Sequence, residues 1–226
     1  MKKFAKIVGK NKENILIKKF IGLFKRKIKN KGKKRFSLVL AGGKTPEKLY
    51  RNLAADKDIT WKKIDFFICD ERCVEENSKH SNINMCRKNL LNKIPISDKQ
   101  IYNISINKRN LKRASKDYEK KIRKYFLNKK VAFDLVFLGI GKDGHIASLF
   151  KDNINKKNEK IVDFVERKDF SRVTLTLKCL NNSRNIFLWA PGKRKSHIIK
   201  KIISDKKFYY PVSFLNIKNK FLFYSN

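Results

Sequence analysis

Cysteine is scarce in this chain, and acidic residues are few beside the basic ones. The four cysteines are Cys69, Cys73, Cys86 and Cys179. Cys69 and Cys73 make a lone C-x-x-x-C with no second close pair, which leaves a zinc module at most half built. Such thiols are expected to be reduced, in a reducing compartment. No apolar run approaches the roughly 18 to 20 residues of a membrane-spanning helix. The apolar stretch near the basic N-terminus is broken by Lys18 and Lys19, a poor secretory signal, so a cytoplasmic location is expected. Repeats and flexible linkers are absent, so residues 1–226 read as a single domain, expected to be monomeric.

What is present is enough to fold. The chain is 41% hydrophobic, with 17 Phe, 7 Tyr and 2 Trp among 226 residues, more than a disordered chain carries. The charge is lopsided: 57 Lys and Arg against 20 Asp and Glu, a formal +37. That excess would attract any polyanion, nucleic acid first. Yet the basic residues are spread along the chain, and only 12 are arginine against 45 lysine. Base-edge and phosphate clamps favour the planar fork of arginine. Abundant Lys, Asn, Ile and Phe also follow from A/T-rich codons, so no specific nucleic-acid partner and no membrane partner are expected.

Apolar spacing predicts the elements. Leu16, Ile17, Phe20, Ile21, Phe24 and Ile28 recur at helical steps. Continuous apolar strands are expected at 36–41, 64–69 and 133–138, with further strands at 173–177, 185–190 and 221–225. Helices are expected at 81–92, 111–127 and 193–204, and from about His145. Another is expected to start at Thr45-Pro46-Glu47, with Thr45 as its cap. Continuous apolar strands alternating with helices predict a three-layer α/β fold: a mostly parallel, Rossmann-like sheet with helices on both faces. Ligands bind such sheets beyond the carboxyl ends of the strands, where three unusual segments fall.

The first segment is Ala41-Gly42-Gly43-Lys44-Thr45-Pro46. Its glycines let backbone N–H groups approach an anion, and a following helix would add its positive end. A nucleotide P-loop would need glycine at 38, where leucine stands. The second is Asp70-Glu71-Arg72, in which Arg72 suits a phosphate. The third, Gly139-Ile140-Gly141-Lys142-Asp143-Gly144-His145, contains a literal G-x-G-x-x-G, with Asp163 about twenty residues on. Polar Asp143 and His145 beside Gly144 fit poorly with the tight packing of a dinucleotide fold. They suit an acid/base imidazole with a carboxylate beside it. His80 and His197 lack such a position and read as structural.

Taken together, residues 133–150 closely resemble the signature of the 6-phosphogluconolactonase family. Residues 41–46 resemble its Gly-Gly-x-Thr-Pro loop, and Asp70-Glu71-Arg72 with Ser81-Asn82 resemble its Asp-Glu-Arg and Ser-Asn. Arg172-Val173-Thr174-Leu175-Thr176 and the Gly192-x-x-Lys195 pattern resemble its later motifs. Related glucosamine-6-phosphate deaminases carry Tyr in place of Arg72 and Glu in place of Phe150. Departures from the lactonase pattern are Ala41, Lys44, Lys151 and the lack of an acidic residue near the C-terminus.

The resemblance implies hydrolysis of 6-phospho-D-glucono-1,5-lactone to 6-phosphogluconate in the oxidative pentose phosphate pathway. It implies His145 as base for water and Asp143 as its orienting partner. Gly42, Gly43, Lys44, Thr45, Asp70, Arg72, Arg172 and Lys195 are the implied substrate and phosphate ligands. An electrophilic ester carbonyl needs no metal and no cofactor. The competing readings are a deaminase-like enzyme, a polyanion binder on the same fold and a nicotinamide oxidoreductase.

Overall fold

The computed structural model describes residues 6–8, 12–106, 110–154, 159–204, 209–216 and 220–225. A seven-stranded sheet runs in the order β1-β10-β9-β6-β2-β3-β5, parallel at every pairing. Its strands are β1 (Lys6–Val8), β2 (Phe36–Leu40), β3 (Ile64–Ile68), β5 (Ile101–Tyr102), β6 (Leu135–Gly139), β9 (Ile186–Ala190) and β10 (Lys220–Tyr224). The strands β2, β3 and β9 are buried at every residue, which is why they read as unbroken apolar runs.

Helices cover both faces. On one, α1 (Glu13–Asn30) buries Leu16, Ile17, Phe20, Phe24 and Ile28 as its spacing predicts. The Phe20 ring meets Phe137, Phe187, Trp189 and Phe223 at centroid distances of 4.6, 5.2, 5.5 and 5.0 Å. Removing such a ring leaves a cavity worth about 3–5 kcal/mol, so Phe20→Ala would badly damage this layer. Neighbouring residues of a strand face opposite sides. Phe66 meets Trp61, which also touches Phe24 on the α1 side. Phe67 meets Tyr125 of α4 (Leu111–Tyr125) on the other. There the Tyr118 hydroxyl both accepts from Ile68 N–H and donates to its carbonyl.

A second, antiparallel sheet, β4-β8-β7, was not legible in the local pattern. It consists of β4 (Asp70–Arg72), β7 (Val162–Val165) and β8 (Arg172–Leu175). Asp70-Glu71-Arg72, beyond the end of β3, therefore forms a strand of its own, and 172–175 pairs with it rather than with the parallel sheet. Cys69 is the junction: its N–H donates to Leu40 O, and its carbonyl accepts from Leu175 N–H, both at 2.9 Å. The 173–177 strand stops early because Thr176 caps α5 (Leu177–Asn182), accepting from Cys179 N–H at 3.2 Å.

Two further expectations are corrected. α2 (Glu47–Ala55) starts with Pro46, not Thr45, at its cap position and has no side-chain cap. Among the described residues, no helix starts at or just after His145. Gly144 and Ala147 adopt φ of 80° and 50°, outside the right-handed helical region. Asn153 then accepts from Phe150 N–H at 2.6 Å and donates to Ser148 O at 3.1 Å, closing a compact turn. The literal G-x-G-x-x-G thus lacks the helix N-terminus that would receive a pyrophosphate. α3 (Asn82–Asn89) and α6 (Lys193–Ser204) form where expected.

Candidate active site

From the inner strand β2, the chain proceeds to β3 on one side and later returns through β6 on the other. The crevice between β2 and β6 is the switch point of the sheet, the place where such folds bind ligands. Loop 41–46 leaves β2 there and loop 140–145 leaves β6.

Loop 41–46 is held down by its neighbour. A Cβ on Gly42 would overlap the Asn82 side chain, so glycine is required for this approach. Asn82 Nδ2 donates to Asp70 O at 2.7 Å, while its Oδ1 is buried without a partner among the described residues. Gly43 has φ of 80° and open space around it, Lys44 is exposed, and Thr45 is half-buried. Beneath them, the Glu71 carboxylate accepts from Asn82 N–H, Ile83 N–H and Arg72 N–H, each at 2.8 Å, and from Ser81 Oγ at 3.2 Å. A carboxylate at the start of α3 satisfies its free N–H groups and complements its dipole. Burial pushes the Glu71 carboxyl upward, against those donors. Glu71 is thus the member of the acidic triplet that builds the local structure.

Asp70 and Arg72 alternate with it on β4. Asp70 is buried and accepts from Ser148 Oγ at 2.7 Å. Burial raises its carboxyl above the ordinary range, while Ser148 and the charges of Arg72, His145 and Arg172 pull it down. Arg72 stands directly across from Arg172 in the antiparallel ladder. Opposed residues share a face, and like charges there repel. The repulsion is relieved on one side only: the Arg172 guanidinium bonds Asp169 through both terminal nitrogens, at 3.0 and 2.6 Å, and also donates to Phe170 O. Arg72 Nη1 donates to His80 O at 2.9 Å.

On the other side of the crevice, His145 Nδ1 lies 2.5 Å from Asp143 Oδ1, which also accepts His145 N–H at 3.3 Å. Burial tends to raise the Asp143 carboxyl, but His145's charge and hydrogen bonds win and hold it below the ordinary range. An ionised Asp143 places the imidazole hydrogen on Nδ1 and leaves the lone pair on Nε2. No hydrogen-bond partner of Nε2 occurs among the described residues. Gly141 N–H donates to His145 O at 2.8 Å, and Val212 N–H to Gly144 O at 3.1 Å. Lys195, at the start of α6, reaches back so that its ammonium donates to Ile140 O. Burial lowers its proton affinity, partly offset by Asp143 nearby.

The fold therefore brings Asp70, Arg72, Asp143, His145 and Lys195 to one edge with the glycine loop, while Arg172 is committed to Asp169. Sequence reading missed Ser148, Asn82 as a packing partner, and the Phe150 ring 4.5 Å from the His145 ring. Their roles rest on contacts between distant segments that no local pattern announces. Among the described residues, no group of three or more His, Cys, Asp or Glu is arranged to hold a metal, and no helix is long and apolar enough to cross a membrane.

Known proteins are similar to this chain in sequence and in fold. The family model described as glucosamine-6-phosphate isomerases/6-phosphogluconolactonase matches residues 11–223. A 6-phosphogluconolactonase of Bos taurus is 37% identical over 183 residues, covering 76% of this chain and 70% of the relative. The crystal structure of 6-phosphogluconolactonase from Thermotoga maritima superposes with a TM-score of 0.83 at 29% identity, covering 97% of this chain and 99% of that one. The Trypanosoma cruzi 6-phosphogluconolactonase gives 0.85 at 28% identity, covering 100% and 95%. With its sheet, its switch-point loops and its match across nearly the whole length, the chain belongs to the glucosamine-6-phosphate isomerase/6-phosphogluconolactonase family.

Proposed function

We propose that this protein hydrolyses 6-phospho-D-glucono-1,5-lactone to 6-phosphogluconate, as a cytoplasmic, monomeric, single-domain enzyme of the oxidative pentose phosphate pathway. The observation that carries the reading is the Asp143–His145 pair at the switch point, with Nε2 unpaired among the described residues. A neutral imidazole held this way takes a proton from water as the water oxygen adds to the lactone C1 carbonyl. The tetrahedral adduct collapses by breaking the bond from C1 to the ring oxygen. The His145 imidazolium returns its proton to that oxygen, giving the C5 hydroxyl and a carboxylic acid that ionises in water. Asp143 fixes the tautomer and stabilises the imidazolium, and no step calls for a metal or a redox cofactor.

Phosphate recognition falls to Arg72 and Lys195, with the backbone of Gly42 and Gly43 and the side chains of Lys44 and Thr45. Arg172, paired with Asp169, supports the ladder opposite Arg72, and Asp70 positions the floor through Ser148. A deaminase-like activity is disfavoured by Phe150, an apolar ring packed on His145 where the deaminases carry a carboxylate. A polyanion-binding role draws only on the +37 charge. The deciding experiment is direct lactone hydrolysis by the purified protein, with glucosamine 6-phosphate deamination and salt-dependent DNA retention measured beside it. Hydrolysis well above the spontaneous rate is expected. Deamination or DNA retention without hydrolysis would overturn the reading.

A further inference from the structure

An imidazole tethered by one hydrogen bond can still swing about it. Around His145 the surroundings remove that freedom. Asp143 holds Nδ1, and the Gly141 backbone lies so close that a Cβ there would overlap Nδ1 and Cε1. The Phe150 ring packs on the imidazole at a centroid distance of 4.5 Å and an angle of 40° between planes. The Nε2 side is left for the reaction.

Phe150 is itself braced. Its N–H donates to Asn153 Oδ1 at 2.6 Å, which fixes the backbone that carries the ring. The Arg167 guanidinium carbon lies 4.0 Å from the ring centroid. Its Nη1 is pinned by both Asp152 oxygens, at 3.1 and 2.9 Å. A guanidinium over an aromatic face is attracted by the ring quadrupole and resists tilting of the ring. The supports thus run in series from Asp152, in the turn after Phe150, through Arg167, in the loop after β7, and Phe150 to His145.

We infer that Phe150, braced by Arg167, is a positioning residue that holds the His145 imidazole in its reactive orientation. A phenyl ring neither donates nor accepts a proton, so its contribution is geometric. The kinetic consequence rests on the lactonase reading; the structural consequence does not. A misplacement of about 1 Å in a reacting group costs on the order of 10²-fold in rate.

The test compares Phe150→Leu, Phe150→Tyr and Arg167→Gln in the full-length protein, by NMR of the His145 ring and by kinetics. In the wild type and in Phe150→Tyr, the ring should give one sharp set of signals, with the Nδ1 hydrogen exchanging slowly with solvent. Phe150→Leu should broaden those signals and speed exchange, and Arg167→Gln should do so more weakly. On the lactone, Phe150→Leu should lose about 10- to 100-fold in kcat with KM nearly unchanged, and Phe150→Tyr should restore it. Unchanged exchange and line shape in Phe150→Leu would overturn the inference. Should that variant fail to fold, unchanged exchange in Arg167→Gln overturns it equally. A wild type inactive on the lactone would remove the functional reading and leave the NMR comparison decisive for this one.

Discussion

The Ser148 hydroxyl donates a 2.7 Å hydrogen bond to Oδ2 of the buried Asp70 carboxylate, joining residues 78 positions apart. Ser148 N–H also donates to Thr174 Oγ1 at 3.2 Å, so one residue ties the turn after β6 to both β4 and β8. The neighbouring Ala147 holds φ of 50°, an unfavourable conformation for a residue with a Cβ, and these bonds keep it there. Ser148→Ala should destabilise the protein by about 1–3 kcal/mol, the cost of leaving a buried polar group unpaired. Thermal denaturation measures this, and in Ser148→Ala/Asp70→Asn the two losses should not add.

Asp70 gives a pH signature. Burial raises its folded-state carboxyl above the unfolded value despite Ser148 and the nearby cations. The native state then binds the proton more tightly than the unfolded chain. Its contribution is fully present in acid and is lost as pH rises from the ordinary carboxylate range through the raised value. Asp70→Asn removes that titration, so its melting temperature should improve relative to wild type as pH rises from about 4 to about 7. A relative decline over that interval would show that the charges of Arg72 and Arg172 dominate instead.

For His145, the expected loss in His145→Ala is about 10²- to 10⁴-fold in kcat, the usual worth of a placed general base. Far-ultraviolet circular dichroism should match the wild type, because the side chain is about a third exposed (32%) and anchors no core element. Near wild-type turnover would remove His145 from the mechanism.

Gly141 offers a steric test of the same site. A Cβ there would overlap the imidazole and crowd Asp143 Oδ1. Gly141→Ala should therefore lower kcat by about 100-fold as the imidazole is displaced. A full-rate alanine variant would mean that the imidazole relocates during turnover.

Arg72 should discriminate by phosphate. Arg72→Ala should lower kcat/KM for the phosphorylated lactone by about 10- to 100-fold, as for loss of a charge-assisted hydrogen bond. Hydrolysis of unphosphorylated gluconolactone should be almost unaffected. Equal losses on both substrates would assign Arg72 to its bond with His80 O and to the β4–β8 ladder instead.

Much of this protein could be read without coordinates, for a physical reason. β2, β3, β6 and β9 lie inside a covered parallel sheet, so burial itself wrote continuous apolar runs, and α1 wrote its buried stripe at helical spacing. The glycines and charged residues at their ends were legible because a tight turn and an exposed imidazole need those residue types locally. Asp70-Glu71-Arg72 as a strand was not legible, since its partner lies a hundred residues away and only the ladder from Arg72 to Arg172 makes it one. The missing helix after His145 was decided by Asn153, Asp70 and Thr174, whose hydrogen bonds outweigh local helical spacing. Which groups stand around the imidazole was decided the same way, by Phe150, Arg167 and Gly141 meeting in space. Periodicity and turn chemistry are local and survive in a sequence, whereas a side-chain contact depends on two segments folding against each other.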